Sequence, residues 1–153
     1  MPDPLEDMSY ISIHNHIIFA TKNRQPLIAP VWRDRLHEYL GGIANGLGAF
    51  PDSIGGVEDH VHLLIGFKAT HRISDFMCEL KKASSAWVKS EIGLKGFAWQ
   101  EGYSAFSVSP TARPAVGQYI RNQEAHHLKK THKEELVELL EKAGIEFNPV
   151  YLG

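Results

Sequence analysis

The hydrophobic and polar residues of the chain recur in blocks that predict strands and helices in alternation. A run of β-branched and aromatic residues with partial alternation predicts a first strand over residues 10–22. Apolar residues at helical spacing, with a proline near the start, predict a helix over residues 30–48. Two short extended segments, 49–57 and 60–67, are close enough along the chain to form a hairpin. The first half is therefore predicted as strand, helix and hairpin.

The second half begins with a further helix and strand and then becomes helical. One apolar stripe predicts an amphipathic helix over residues 71–93, and aromatic residues in an extended segment predict a fourth strand over 98–109. Two prolines then introduce a third helix over 115–130. Thr131 and Glu134 have capping-box spacing, which predicts the start of a fourth helix that ends at the next glycine.

The order of these elements is β-α-β-β-α-β followed by two C-terminal helices. This order predicts an α+β fold with a ferredoxin-like antiparallel sheet. With 153 residues and 43% apolar content, the chain is expected to form a single domain over residues 1–153. Within it we expect a flexible tail at 1–9, a β-α-β-β-α-β core at 10–109 and the C-terminal helices at 111–143.

Composition restricts the cellular setting. The N-terminus is acidic and lacks an apolar stretch, and no run approaches the roughly 18 apolar residues of a membrane span. We therefore expect a soluble cytoplasmic protein with no membrane partner. The single cysteine, Cys78, excludes an internal disulfide and a multi-cysteine zinc site, and its place on the second helix predicts a small core residue.

The charge balance argues against a protein that coats duplex DNA by charge alone. Sixteen Lys and Arg residues stand against eighteen Asp and Glu residues, for a net charge of −2. In residues 68–100, however, six basic residues outnumber three acidic ones. Local phosphate contacts are therefore predicted at Lys81, Lys82 and Lys89, with Arg24 as a further DNA-binding candidate. A solvated helix face explains the same charge pattern equally well.

Two histidines flank a valine in the predicted strand over residues 60–67. Residues i and i+2 of a strand point to the same face at about 6 to 7 Å, so His60 and His62 can converge on one metal ion. Val61 would then pack on the opposite face. Imidazole binds zinc, iron, nickel and copper, and it joins oxygen ligands around manganese or magnesium. A structural role remains open on the spacing alone.

A second pair, His14 and His16, has the same spacing. Its central residue, Asn15, would interrupt the apolar face that Val61 completes, which favours a structural role. His16 would line a metal site only if the first strand lies beside the hairpin strand. Leu64 excludes the histidine-triad and His-x-His-x-Asp-His hydrolase patterns, because it occupies the position where these need a histidine or an aspartate.

The predicted third helix carries a candidate nucleophile. Tyr119 and Gln123 are four residues apart, so on a helix their side chains lie on one face, and His126 continues the same stripe. A tyrosine oxygen can attack phosphorus while a metal ion offsets the developing charge. The alternative for Tyr119 is an ordinary helix-face residue, and for His126 a favourable position near a helix C-terminus.

Together these stretches resemble one family, the single-tyrosine transposases of insertion sequences that carry a His-hydrophobe-His motif, the IS200-like group. The resemblance spans roughly residues 10–152 and rests on five motifs in order: "ATKNRQPLI", "DHVHLLI", "GYSAFSVS", "YIRNQEAHH" and "EELVELLEKAGIEFNPVYL".

The resemblance implies an enzyme that cuts and rejoins single-stranded DNA with Mg²⁺ or Mn²⁺. His60 and His62 would be two metal ligands and Gln123 the third, with His126 as an additional candidate. Tyr119 would be the nucleophile that forms a 5′-phosphotyrosine link and frees a 3′-OH. The DNA partner would carry a hairpin, and the protein would be a homodimer in which the tyrosine helix of one subunit can complete the histidine pair of the other.

Two other functions stay open on the sequence. A domesticated protein could keep the fold and bind hairpin-bearing single-stranded DNA without cleaving it. A metal-dependent phosphodiesterase could use water as the nucleophile, and Tyr119 would then be structural.

Overall fold

A computed structural model describes residues 9–127 and 130–152 of the chain. The side chains of His126, His127 and Tyr151 lie outside this description. So does the predicted tail at residues 1–9, apart from Ser9.

The strands form one sheet. Its order is β2-β3-β1-β4, and every neighbouring pair is antiparallel. The α+β fold with an antiparallel sheet is therefore confirmed. The strands are β1, Ile13–Ala20; β2, Phe50–Gly56; β3, His60–Phe67; and β4, Ser104–Val108.

One helix precedes the hairpin and four follow it within the described residues. They are α1, Pro30–Gly46; α2, Ile73–Trp87; α3, Arg113–Arg121; α4, Gln123–His127; and α5, His132–Ala143. Short 3₁₀ turns cover Lys22–Arg24 and Pro149–Leu152, and a π-helical turn at Val88–Ile92 extends α2. Within the described residues, no helix has the length and apolar character that crossing a bilayer requires.

The main hydrophobic core lies between one face of the sheet and the helices α1 and α2. Because side chains alternate along a strand, β3 directs its odd-numbered residues into this core and its histidines to the opposite face. The core includes Ile17, Phe19, Leu36, Leu40, Val61, Leu63, Ile65, Phe76, Met77 and Leu80. The prediction that Val61 packs opposite the histidine pair is confirmed.

The predicted helix over residues 115–130 is wrong as a single element. It is interrupted at Asn122, whose φ of −102° and ψ of 27° leave the helical region. The Asn122 amide bonds back to the carbonyls of Gln118 and Tyr119, so it closes α3 as a C-cap. Asparagine is a poor helix former and adopts such conformations readily. Three helices therefore follow the sheet instead of the predicted two, and Leu128 and Lys129 lie outside the described residues.

The expectation that Cys78 is a core residue is also wrong, because Cys78 is exposed. The buried positions of α2 are Phe76, Met77, Leu80 and Ser84, which follow a narrower stripe than the sequence suggests. Cys78 lies about 100° around the helix from Met77 and about 200° from Leu80, on the solvent side.

A glycine allows α3 to lie directly on β2. A Cβ atom built on Gly55 would come within 1.9 Å of the Ile120 carbonyl oxygen, and Ile120 is fully buried. Only a residue without a side chain permits this approach. The contact fixes the tyrosine helix on the sheet face that carries the histidines.

The last helix begins and ends where the sequence predicts. The Thr131 hydroxyl accepts a hydrogen bond of 3.2 Å from the Glu134 amide, which is the N-cap half of a capping box. Gly144 ends the helix in the left-handed conformation, with a φ of 67°.

Candidate metal centre and tyrosine site

The histidine pair lies on an interior strand of the sheet. His60 and His62 of β3 are both fully buried, and their ring centroids are 5.1 Å apart. Strand alternation places both rings on one face, as predicted. Two imidazoles thus converge in a site that is almost free of solvent.

His16 joins this pair, because β1 lies directly beside β3. Its Nε2 atom is 2.7 Å from Nδ1 of His62, and burial lowers the pKa of His16 to about 4. His16 is therefore neutral near pH 7. If His62 directs Nε2 into the site as a ligand, its Nδ1 carries the hydrogen and donates it to His16. Sequence reasoning named this outcome for His16 but favoured a purely structural role.

An acidic residue orients the other histidine. Nδ1 of His60 lies 2.7 Å from Oδ1 of Asp59, which leaves Nε2 as the His60 ligand atom. Asp59 also forms an ion pair of 3.7 Å with Arg24. Burial acts to raise the pKa of Asp59, but the hydrogen bond to His60 and the electrostatic interactions with His60, Arg24 and His132 lower it overall. The carboxylate is thus kept ionised as an acceptor.

Helix α5 adds two residues that sequence reasoning missed. His132 and Glu135 are three residues apart, so they lie on one face of the helix, and each is only 4% exposed. Glu135 Oε2 is 3.6 Å from His62 Nε2, and the His132 and His60 ring centroids are 4.1 Å apart. The available signal was the His-x-x-Glu spacing on the inward face of a capped amphipathic helix.

Four side chains therefore bring metal-binding atoms together. One ligand atom from each of His60, His62, His132 and Glu135 lies within 4.8 Å of the other three. Imidazole nitrogen and carboxylate oxygen together suit a divalent ion such as Mn²⁺, Fe²⁺ or Zn²⁺. The donors and their spacing fit a bound metal.

The predicted nucleophile faces the same cluster. The Tyr119 ring centroid is 5.8 Å from that of His62 and 6.1 Å from that of His16, all within one chain. Burial raises the pKa of Tyr119, and the charge of Glu135 raises it further. Tyr119 and Glu135 lie close enough together for each to act on the pKa of the other. Burial likewise raises the pKa of Glu135.

Gln123 begins α4 directly behind the tyrosine. Its side chain is 1% exposed, and its Nε2 donates a hydrogen bond of 3.4 Å to the Tyr119 carbonyl. Its Oε1 is buried and accepts no hydrogen bond within the described part of the chain. An amide oxygen in this state is suited to a ligand role, which stays a prediction. The side chain of His126, the further candidate, lies outside the described residues.

Of the predicted DNA-binding residues, the three lysines lie apart from the histidine cluster, whereas Arg24 pairs with Asp59 beside it. Lys81 donates hydrogen bonds to the carbonyls of Gln100, at 2.9 Å, and Gly102, and burial lowers the pKa of its ammonium group. Lys82 and Lys89 are exposed, but α2 packs on the sheet face opposite the histidines. Their role in binding DNA remains a prediction, as does that of Arg24.

A polar cavity of about 530 Å³ opens beside α4. Its wall includes Arg33, His37, Arg121 and Gln123. Arg33 is tied to Glu124 by an ion pair of 2.6 Å, which links α1 to α4. Polar and basic side chains of this cavity therefore surround Gln123.

Comparisons with known proteins agree on one class. Residues 9–123 match the family model described as "Transposase IS200 like". The chain is 31% identical over 116 residues to the ISDra2 transposase TnpA of Deinococcus radiodurans, covering 71% of this chain and 81% of that protein.

Solved structures support the same class. A crystal structure of a Deinococcus radiodurans protein named as a transposase is 31% identical and aligns with a TM-score of 0.61, over 75% of this chain and 93% of that one. A REP-associated tyrosine transposase bound to a REP hairpin is 16% identical, with a TM-score of 0.55 over 73% and 67% of the two chains, and shares the fold.

The fold, the site and these relatives define a DNA transposase, an enzyme class that acts on phosphodiester bonds. The chain belongs to the IS200-like transposase family. The family resemblance seen in the sequence is thereby confirmed.

Proposed function

We propose that this protein cleaves and rejoins single-stranded DNA through a 5′-phosphotyrosine intermediate on Tyr119, beside a divalent metal ion held by His60 and His62. One observation carries the proposal: the Tyr119 ring lies 5.8 Å from the His62 ring although the two residues come from distant parts of the chain. A potential nucleophile and potential metal ligands therefore share one buried site.

In the cleavage step, Tyr119 Oη forms a bond to phosphorus as the bond from phosphorus to the 3′ oxygen breaks. The departing strand takes up a proton and becomes a free 3′-OH. The proposed acceptor of the Tyr119 proton is Glu135, which lies close enough to act on the pKa of Tyr119 and whose own pKa is raised by burial, so that it is a stronger base. Rejoining reverses these steps: a 3′-OH attacks the phosphotyrosine, and Tyr119 regains its proton.

The metal ion, Mg²⁺ or Mn²⁺, supplies polarisation of the phosphate and offsets its developing charge. His60 and His62 hold it through Nε2, while Asp59 and His16 fix the orientation of the two rings from behind. Gln123 is the proposed third ligand, and its buried Oε1 supports that role.

The proposed substrate is single-stranded DNA that carries a hairpin. Support comes from the REP-associated tyrosine transposase of similar fold, which was solved with a REP hairpin. The expected homodimer is also part of the proposal. Sharing of sites between subunits is less well supported, because Tyr119 lies beside the histidine pair of its own chain.

The test is incubation of the purified protein with a labelled hairpin-bearing single strand and Mn²⁺ or Mg²⁺, followed by a denaturing gel. We expect a covalent protein–DNA adduct that is lost in Tyr119→Phe. Tyr39→Phe is the matched control, because Tyr39 stacks on Trp87 with a centroid distance of 4.9 Å, in the α1–α2 layer.

The same gel distinguishes the other functions. Cleavage that survives Tyr119→Phe would identify a phosphodiesterase that uses water. Retention of the hairpin without cleavage by the unmodified protein would identify a domesticated binding protein.

A further inference from the structure

We propose that His132 and Glu135 of α5 are themselves metal ligands, so that four side chains of one chain, His60, His62, His132 and Glu135, give donors to the ion in addition to any from Gln123. This inference rests on the proposed function only in placing a metal at the histidine pair. It differs from the ligand set that the family resemblance implies, in which Gln123 follows the two histidines.

The first support is geometric. The four ligand atoms lie within 4.8 Å of one another, and all four residues are buried. His132 and Glu135 reach the site because α5 presents one face to it, with its first turn fixed by the Thr131 cap. Two donors from β3 and two from α5 thus approach one point from opposite sides.

The second support is energetic. A carboxylate loses its hydration when it is buried, and this costs several kcal/mol unless opposite charge compensates. Glu135 is 4% exposed and lies against imidazoles that are neutral when they act as ligands. A divalent ion at the centre of the cluster would add to the compensation that His60 and Lys130 give the Glu135 carboxylate.

The third support is the link to the nucleophile. Glu135 Oε2 lies 3.6 Å from His62 Nε2, and Tyr119 is close enough to Glu135 for each to act on the pKa of the other. One carboxylate can thus contact the ion and the tyrosine hydroxyl together. A metal ion bound in this way would hold α5 against β3 and fix the direction of the Tyr119 hydroxyl.

The donor set also indicates which ions should bind best. Magnesium prefers oxygen ligands and retains its water, whereas imidazole suits transition metals. Three histidines and one glutamate should therefore bind Zn²⁺ and Mn²⁺ more tightly than Mg²⁺.

The test measures metal binding without DNA. Mn²⁺ and Zn²⁺ are titrated by calorimetry into the metal-free full chain, with Mg²⁺ for comparison. We expect Glu135→Gln and His132→Ala each to weaken Mn²⁺ binding by at least about tenfold, since even outer residues of metal sites contribute 10–100-fold. Glu138→Gln is the matched control on the same helix, because Glu138 is half-exposed and pairs with Lys130; its affinity should stay within about twofold.

A second measurement uses only the unmodified protein, so its result does not depend on whether the variants fold. Amide hydrogen exchange of α5 in the unmodified protein should slow by at least about tenfold when Mn²⁺ is added at saturation, because the ion would tie α5 to β3. The proposal would be overturned if Glu135→Gln and His132→Ala both bound Mn²⁺ as tightly as the unmodified protein does. It would also be overturned if a bound ion left the amide exchange rate of α5 unchanged. Failure of all three ions to bind would overturn it as well.

These outcomes are separate from those of the proposed function. Tyr119→Phe should abolish the DNA adduct, but it removes none of the four proposed ligands and should leave Mn²⁺ binding measurable. Metal binding that depends on Glu135 in a protein that never cleaves DNA would support the four-ligand site and contradict the proposed function. DNA cleavage by a protein whose Mn²⁺ affinity is unchanged in Glu135→Gln and His132→Ala would support the proposed function and contradict the four-ligand site.

Discussion

His16 Nε2 lies 2.7 Å from His62 Nδ1, across two strands that are neighbours in the sheet and 46 residues apart in sequence. Through this contact His16 can orient His62, a role that the sequence of the first strand alone does not indicate. As the partner of Nδ1, His16 would hold His62 in one tautomer and one orientation and so direct Nε2, the proposed ligand atom, into the site.

His16→Ala should therefore weaken the site without removing a ligand. We expect Mn²⁺ affinity and DNA cleavage to fall by about 10- to 100-fold, because His62 loses the partner of its Nδ1. Calorimetry and the cleavage assay measure the two effects. His14→Ala is the control on the same strand, and an equal loss in both variants would contradict the role given to His16.

His60→Ala should separate catalysis from binding. Cleavage is expected to disappear because a metal ligand is lost, whereas hairpin affinity is expected to stay within a few-fold because the ion acts on the scissile phosphate. A gel-shift titration beside the cleavage assay makes the comparison. Parallel loss of cleavage and hairpin binding would rule out this division of labour.

Gly55→Ala should destabilise the fold. The added Cβ would meet the Ile120 carbonyl at 1.9 Å, so α3 must move away from β2, at a cost of about 1–3 kcal/mol. Urea unfolding measures the change. Gly42→Ala is the matched control, since its Cβ meets no atom within 4 Å and it lies inside α1, where alanine should add about 0.5–1 kcal/mol. Similar effects at both positions would refute the packing argument.

His37 should make the protein less stable in acid. Burial is the main cause that lowers its pKa from 6.5 to about 4. Between these values the unfolded chain binds more protons than the folded one, so stability falls as pH drops from 6.5 towards 4, by up to about 3 kcal/mol. His37→Gln should lose that part of the pH dependence. Urea unfolding at pH 7.0 and pH 4.5 tests it, and parallel pH profiles would be the contrary result.

Thr131→Ala should loosen α5. The variant loses the hydroxyl that accepts a hydrogen bond from the Glu134 amide. Loss of such a cap typically lowers helix or protein stability by about 1 kcal/mol. We expect faster amide exchange in the first turn of α5 and weaker Mn²⁺ binding through His132, which directly follows the cap. Thr131→Ser retains the hydroxyl and should behave as the unmodified protein does.

Local patterns predicted the elements and half of the site. Strand alternation brought His60 and His62 to one face, and helical periodicity with its proline placed the tyrosine on a helix. The His-x-x-Glu spacing was the one signal for His132 and Glu135, but local periodicity does not show that α5 folds back onto β3 across about 70 residues. The helix break at Asn122 was also not predictable from local sequence. One asparagine shifts helix propensity only slightly, while the packing around it decides where the helix ends.

The strand order also affects the sequence in which parts of the site unfold. β3 and β1, which carry His60, His62 and His16, are paired on both sides, whereas α3 rests on β2 at the edge of the sheet. Edge elements open more readily than interior ones. On gentle heating, the nucleophile should therefore leave the site while the histidines are still aligned, so catalytic competence would be lost before the metal-binding geometry is.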